Sequence, residues 1–319
     1  MSRKLAWVFP GQGSQVVGMG KELAEAFPEV MARFDEANDV LGFDLKRLCF
    51  EGPEEELLRT ENTQPALLTV SCALLELVKQ QEHLQPVFVA GHSLGEYSAL
   101  VAAGAMDFAA ALKTVRIRGQ LMEQAVPAGQ GGMAAIIGLD SARVAELCAA
   151  VESEGMGHVV PATLNAPDQT VVAGEKKAVE AVAARASEAG AKRTVHLNVS
   201  GPFHSKLLTE AGRKLGEALA DVEIRTPQVP VVANVTARPV ASPEEIRQSL
   251  IEQVSSPVRW VESVEFMTEQ GVDTFLEIGP GRVLSGLIKR IRRDVQTVRF
   301  DDPAGWDEVL AWAKGDDVR

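Results

Sequence analysis

Short apolar runs alternate along the chain with longer stretches in which apolar residues return every three or four positions. The runs at Leu5–Phe9, Val87–Ala90, Val229–Val235, Asp273–Ile278 and Thr297–Phe300 read as strands, the first two without a polar face, as strands covered on both sides require. The helical stretches fall around Glu22–Phe27, over 54–79 behind Pro53 with a break at Thr63-Gln64-Pro65, and from Phe108 to about Ala125 behind Asp107 as N-cap. Others follow at Ser205–Ala220, 243–255 and 283–291. Strands alternating with helices predict an α/β fold with a largely parallel sheet.

The pattern changes in the middle of the chain. Gly132–Leu139 reads as a strand, Ser141–Ser153 as a helix capped by Ser141, His158–Leu164 and Gln169–Ala173 as strands, and Glu175–Glu188 as a helix closed by Gly190. In the last strand, Lys192–Val199, apolar Val195, Leu197 and Val199 alternate with Thr194, His196 and Asn198. That βαββαβ order is ferredoxin-like. The expected organisation is therefore a discontinuous large subdomain, residues 1–130 and 199–319, with a ferredoxin-like small subdomain, 131–198, inserted into it.

Composition narrows the classes of function. With 319 residues and 46% hydrophobic content the chain can bury a large core. Its net charge of -12 argues against nucleic acid or an anionic membrane as partner, because neutralising phosphates takes a basic face. Cys49, Cys72 and Cys148 are scattered and odd in number, so neither a disulfide framework nor a zinc site is indicated, and a reducing cytoplasm fits. The apolar start is stopped by Pro10 and Gly11, too soon for a signal segment, and the apolar stretches at 65–78 and 97–112 fall short of a bilayer span.

The densest chemical signal lies at 86–104, where a strand passes through Gly91-His92-Ser93-Leu94-Gly95 into an Ala-rich helix. Strand, Gly-x-Ser-x-Gly, helix is the setting that holds a serine hydroxyl clear of a sharp turn, with the next N–H at a helix N-terminus. A tight turn with a solvated serine is the alternative. Pro10-Gly11-Gln12-Gly13-Ser14 is a second glycine-rich turn after a strand, able to bring N–H groups to a ligand or merely to connect; it lacks the third glycine of a dinucleotide fingerprint and the Lys-Ser/Thr of a P-loop. Projection of the 108–125 helix sets Lys113, Arg116, Gln120, Glu123 and Gln124 on a solvated face and Arg118 opposite, pointing inward. An inward cation needs an internal carboxylate, several hydrogen bonds or an anionic ligand. On the residues alone a structural ion pair is favoured, and Gln64 reads as a cap before it reads as a cleft residue.

Among the five histidines, His204 is the best placed partner for Ser93, at the start of the 205–220 helix where the dipole would keep the ring neutral; a surface histidine is the alternative. Lys289, Arg290, Arg292 and Arg293 form the densest basic cluster in an acidic chain, and on the residues alone a solvated helix end is the favoured account of them.

Taken jointly, Gly11-Gln12-Gly13-Ser14-Gln15, Thr63-Gln64-Pro65-Ala66-Leu67, Gly91-His92-Ser93-Leu94-Gly95, Arg118-Gly119-x-x-Met122, the Asn165 segment, Gly201-Pro202-Phe203-His204-Ser205, Gln253 with Pro257-Val258-Arg259-Trp260, and Glu277-Ile278-Gly279-Pro280 closely resemble malonyl-CoA:acyl carrier protein transacylases over nearly the whole chain. The resemblance implies an α/β-hydrolase-like large subdomain with an active site between it and the small one. It implies Ser93 as nucleophile, His204 as base oriented by a main-chain carbonyl near Gln253, the N–H groups of Gln12 and Leu94 as oxyanion hole, and Arg118 gripping the malonyl carboxylate. His92, Gln64, Asn165, Phe203 and Gln253 would support or line the site, and Phe203 matches the malonyl-selective form of the pattern rather than the methylmalonyl-selective one.

The implied reaction is ping-pong through malonyl-Ser93, with malonyl-CoA and acyl carrier protein as partners, no cofactor and no metal, in a free-standing cytoplasmic enzyme expected to be monomeric. Docking of the acidic carrier is expected near Lys289, Arg290, Arg292 and Arg293, with Lys192 and Arg193. Two other readings stand beside it. A serine thioesterase would share the acyl-enzyme, although the usual hydrolase order Ser, acid, His with histidine near the C-terminus is not met, since 115 residues follow His204. A catalytically inactive carrier-docking module would have no need of Ser93, His204, Arg118 and Gln12 together.

Overall fold

The computed structural model describes residues 3–314, so the ends of the large-subdomain range, 1–2 and 315–319, lie outside it. Ten strands form two sheets: β1 Leu5–Phe9, β2 Phe88–Gly91, β3 Gly131–Ile137, β4 Val159–Ala166, β5 Gln169–Glu175, β6 Arg193–His196, β7 Val231–Val232, β8 Pro239–Val240, β9 Thr274–Ile278 and β10 Gln296–Phe300. The larger sheet runs β10-β9-β1-β2-β7-β8, parallel except for β8. Its centre is buried on both faces, as the unbroken apolar run of β1 requires. Leu5, Trp7 and Phe9 join the core beneath helix Thr60–Lys79, while Ala6 and Val8 join a second core beneath helices Trp260–Glu269 and Val283–Ile291.

The second sheet is antiparallel, in the order β4-β5-β3-β6, which is the ferredoxin-like arrangement expected from the pattern. Ala134, Ile136 and Val172 face helices Ser141–Ser153 and Lys176–Glu188, whereas Met133, Ala135, Val171 and Ala173 face the main core. Two-residue alternation thus gives one sheet two different neighbours. The segment ahead of helix Trp260–Glu269 runs alongside β4 of the second sheet, where Val258 donates to Ala162 and accepts from Leu164.

Several local expectations change. The interruption in 54–79 falls at Arg59, between helices Glu54–Leu58 and Thr60–Lys79, and the second helix runs straight through Pro65. A proline there strands the carbonyl four residues back, that of Glu61, and Arg116 Nη1 donates to it at 2.6 Å. Arg116 is accordingly half-buried and tied to the Glu61 carboxylate at 3.2 Å rather than solvated. Asp140, not Ser141, caps its helix by accepting from the Arg143 N–H. Asp107 sits at the N-cap but spends its carboxylate on Arg225. The last small-sheet strand stops at His196, and the run at Val229–Val235 contributes only Val231 and Val232 to the ladder. No helix among the described residues is long and apolar enough to cross a membrane.

Candidate active site

The turn carrying Ser93 is held by close packing. A Cβ on Gly91 would stand 1.9 Å from the Gly95 carbonyl carbon, and one on Gly95 would stand 2.1 Å from the Phe9 oxygen, so strand and helix can approach only as glycine. Ser93 itself adopts φ 50°, a conformation costing a non-glycine residue about 1 to 3 kcal/mol. Asn234 holds it there. Its Oδ1 accepts the Ser93 N–H at 2.7 Å and its Nδ2 donates to the Gly91 carbonyl at 2.7 Å, bracketing the turn from the end of β7.

His204 reaches Ser93 from 111 residues away, with 2.8 Å between Nε2 and Oγ. Its Nδ1–H donates to the main-chain carbonyl of Gln253 at 2.8 Å, which leaves Nε2 bare to accept the hydroxyl proton. The residue precedes a short turn, Lys206–Leu208, and helix Thr209–Ala220 begins only after it. The helix dipole is therefore not what keeps the ring neutral. Burial does so first, and the Arg118 cation second, holding the imidazole down at about 3.

Arg118 does point inward and is 1% exposed. It makes no ion pair among the described residues. Nη1 donates to Gln64 Oε1 at 2.7 Å, and Nη2 donates to Gln253 Oε1 at 2.9 Å and to Ser93 Oγ at 3.1 Å. Gln64 is thus a buried ligand of the guanidinium, not a cap. The cation is met by neutral carbonyls beside Ser93, which leaves a carboxylate's place open.

Gln12 and Leu94 flank the serine. Neither N–H has an acceptor within the described residues, although their neighbours do: the Gly13 N–H donates to Gln15 Oε1 at 2.7 Å, and Gly95 N–H to the His92 carbonyl at 2.9 Å. Gln12 is steadied by Nε2 donating to Thr60 Oγ1 at 3.2 Å, and Thr60 in turn meets Ser200 Oγ at 2.8 Å. These groups open on a cleft of about 260 Å³ between the sheets, walled by Met122, Met133, Val171 and Phe203. His92 and Asn165 also line it, joined across the gap by a 2.7 Å bond from His92 Nε2 to Asn165 Oδ1. Burial keeps the His92 imidazole below its usual range.

The basic residues lie elsewhere. Arg290 bonds Asp168 and Gln169, Arg292 pairs with Asp294 at 2.8 Å, and Lys289 donates to the Val295 carbonyl, while Arg293, Lys192 and Arg193 are exposed. None lines the cleft.

Two residues of the site were not anticipated, Asn234 and Glu96. Glu96 is buried beneath the turn, where its Oε2 accepts from the Asn234 N–H at 2.8 Å and from Gln253 Nε2 at 3.0 Å, and burial pushes its carboxyl up to about 7. A lone acid in an otherwise uncharged helix, and a lone amide in the run Val229–Val235, were the available signals.

A serine hydroxyl bonded to a neutral imidazole, two free N–H groups beside it and a cation within reach are equipped for acyl transfer from a donor whose acyl group ends in a carboxylate. The sequence profile of the acyl transferase domain family matches residues 6–302. The malonyl CoA-acyl carrier protein transacylase of Bacillus subtilis (strain 168) is 51% identical over 300 residues, 94% of each chain. Among solved structures, an acyl carrier protein S-malonyltransferase from Vibrio cholerae superposes with TM-score 0.93 at 49% identity, over 96% of this chain and 99% of that one. A malonyl-transacylase in complex with its type II PKS acyl-carrier protein gives 0.94 at 48% identity, over 98% and 100%.

Proposed function

The chain belongs to the acyl transferase family, and on that premise we propose which residues carry the malonyl group from malonyl-CoA to acyl carrier protein, the reaction this enzyme performs. Ser93 is the nucleophile. His204 Nε2 takes the Ser93 proton as Oγ attacks the thioester carbonyl, forming the C–O bond. The oxyanion is received by the N–H groups of Gln12 and Leu94, and as it collapses the C–S bond breaks and His204 returns the proton to the departing coenzyme A thiolate. The phosphopantetheine thiol of the carrier protein then gives its proton to His204, attacks malonyl-Ser93 and regenerates the free hydroxyl. The Gln253 carbonyl holds the imidazole tautomer in both halves, the place a carboxylate fills in a triad.

Arg118 selects the acyl group. The observation that carries this reading is the 3.1 Å contact between its Nη2 and Ser93 Oγ, which sets the cation at the distance of an acyl group whose carboxylate lies one methylene from its carbonyl. Phe203, Met122 and Met133 supply the apolar wall facing that methylene.

The division into 1–130 with 199–319 and 131–198 follows the same logic: the large part supplies nucleophile, base and cation, and the small part closes the cleft through Met133, Asn165 and Val171. The carrier is proposed to dock beside the small sheet, near Lys289, Arg290, Arg292, Arg293, Lys192 and Arg193. Arg290 and Lys192 support this by meeting at one place, the first bonded to Asp168 and the second packed on Gly138, whose N–H donates to the Asp168 carbonyl. Charge reversal there should raise the carrier-protein KM and leave the malonyl-CoA KM unmoved. Three free, buried cysteines support a reducing cytoplasm as the setting.

Intact mass after incubation with malonyl-CoA alone tests the core of the reading. A gain of one malonyl group that requires Ser93 and passes to added acyl carrier protein is expected; label that only hydrolyses would identify a thioesterase, and no label would exclude the covalent mechanism.

A further inference from the structure

Two carboxylates, Glu96 and Glu277, are fully buried among the described residues. Glu277 is accounted for by the N–H groups of Leu284 and Ser285 at the start of a helix, at 2.9 and 2.7 Å. Glu96 has no such local employment: it lies beneath the nucleophile turn, and the proposed chemistry does not use it.

Its connections lead through one side chain. Gln253 Nε2 donates to Glu96 Oε2 at 3.0 Å, to the Ser93 carbonyl at 3.0 Å and to Asn234 Oδ1 at 3.2 Å, while Gln253 Oε1 accepts from Arg118 Nη2 at 2.9 Å. The amide is therefore clamped in one orientation, oxygen to the cation and nitrogen to the anion. Both bonds found at Glu96 have it accepting, from a main-chain N–H and from an amide, as an ionised carboxylate does.

We propose that Glu96 is a positioning residue for acyl-group selection: a counter-charge held one amide away from Arg118, which fixes Gln253 and through it the guanidinium, while leaving that guanidinium unpaired for the substrate carboxylate. A direct Arg–Glu pair would neutralise the cation equally well but would occupy the fork that the acyl carboxylate needs. An unassisted buried cation would leave its orientation and its burial uncompensated between turnovers. The amide spacer resolves both conditions. This inference rests on the role given to Arg118 above.

Other titratable groups face the network from each element packed on it: Tyr97 on the same helix as Glu96, Arg118 on helix Phe108–Gln124, and His92 and His204 on the adjoining turns. Burial lowers both histidines and Arg118 and raises Tyr97, so Glu96, pushed up to about 7, is the group that changes charge near neutrality.

The test compares Glu96→Gln with the wild-type protein, using malonyl-CoA, acetyl-CoA and the small ester p-nitrophenyl acetate as acyl donors, with intact mass and pre-steady-state acylation of Ser93 as readouts. Glu96→Gln should lower malonyl kcat/KM about tenfold more than it lowers acylation by p-nitrophenyl acetate, through KM rather than kcat. The wild-type malonyl-over-acetyl ratio should fall as pH drops through about 7, and the variant's ratio should be flat. Equal losses for all donors, or a pH-dependent ratio surviving in the variant, would overturn the proposal.

The double variant Glu96→Gln with Gln253→Glu serves if the single one does not fold. It restores a carboxylate to the network but sets it directly on Arg118, so it should fold and still discriminate poorly; full malonyl preference in it would equally overturn the proposal. Arg118→Ala separates the two levels. If it keeps the malonyl preference the reading of Arg118 fails, and if it loses the preference while Glu96→Gln keeps it, only the role of Glu96 fails.

Discussion

Truncation of Arg118 to alanine is the sharpest test of how this enzyme chooses its acyl group. In the resting site the guanidinium donates at 2.7 Å to Gln64, 2.9 Å to Gln253 and 3.1 Å to Ser93 Oγ. On the role proposed for Arg118, a malonyl carboxylate arriving at the serine would take over the last of these and add a second bond, both charge-assisted. Hydrogen bonds to charged groups contribute about 1.5 to 3 kcal/mol each. Because one existing bond is given up, the net gain for malonyl is that of one such bond, about 1.5 to 3 kcal/mol, or roughly one to two powers of ten. An acetyl group makes neither bond.

Arg118→Ala also orphans the carbonyls of Gln64 and Gln253 and opens a void, but those losses fall on every donor alike and cancel in a ratio. The malonyl-over-acetyl ratio of kcat/KM for Ser93 acylation, followed by rapid quench and intact mass, should therefore drop about ten- to a hundredfold. Arg118→Lys should recover only part of it, since an ammonium offers a point charge where the guanidinium offers a fork. A ratio unchanged within threefold in the alanine variant would show that malonyl is chosen elsewhere in the cleft.

Ser93→Ala should show no mass gain with malonyl-CoA under conditions that label the wild type. His204→Ala should slow acylation by about 10² to 10⁴, as loss of a general base does. Because burial and Arg118 hold the imidazole down at about 3, acylation by p-nitrophenyl acetate should stay level as pH falls from 8 to 5 rather than halving near 6.5; a midpoint at the ordinary histidine value would contradict the buried, neutral ring. The linked stability effect has a definite sign. Between about 6.5 and 3 the unfolded chain binds a proton that the native site refuses, so this group's contribution declines as the solution is acidified through that window, measurable as a falling Tm. Gly95→Ala must displace either the Phe9 carbonyl or the helix, since its Cβ would stand 2.1 Å from that oxygen, and it should lose both thermal stability and acylation; wild-type behaviour would show that the close approach is not needed.

What could be read from the sequence was whatever is specified locally. Apolar runs without a polar face announced the buried strands, two-residue alternation announced the small sheet, and the glycines around Ser93 announced a turn that admits no Cβ, because each of these depends on neighbours a few residues apart. Pro65 shows the limit of local rules: it reads as a helix break, yet the helix continues because Arg116, far along the chain, satisfies the carbonyl that proline strands. The inward direction of Arg118 was legible from helical projection, but its partners were not.

Projection favoured an internal carboxylate; folding supplied two amide carbonyls, and the carboxylate, Glu96, waits one residue further off behind Gln253. Only the tertiary structure could decide that, since Ser93 is separated by 141 residues from Asn234 and by 160 from Gln253, and no spacing rule relates them. The neutrality of His204 belongs to the same class. The sequence pointed to a helix dipole, but the ring lies ahead of that helix, and it is enclosure by elements distant in the chain that removes water and disfavours the charged form.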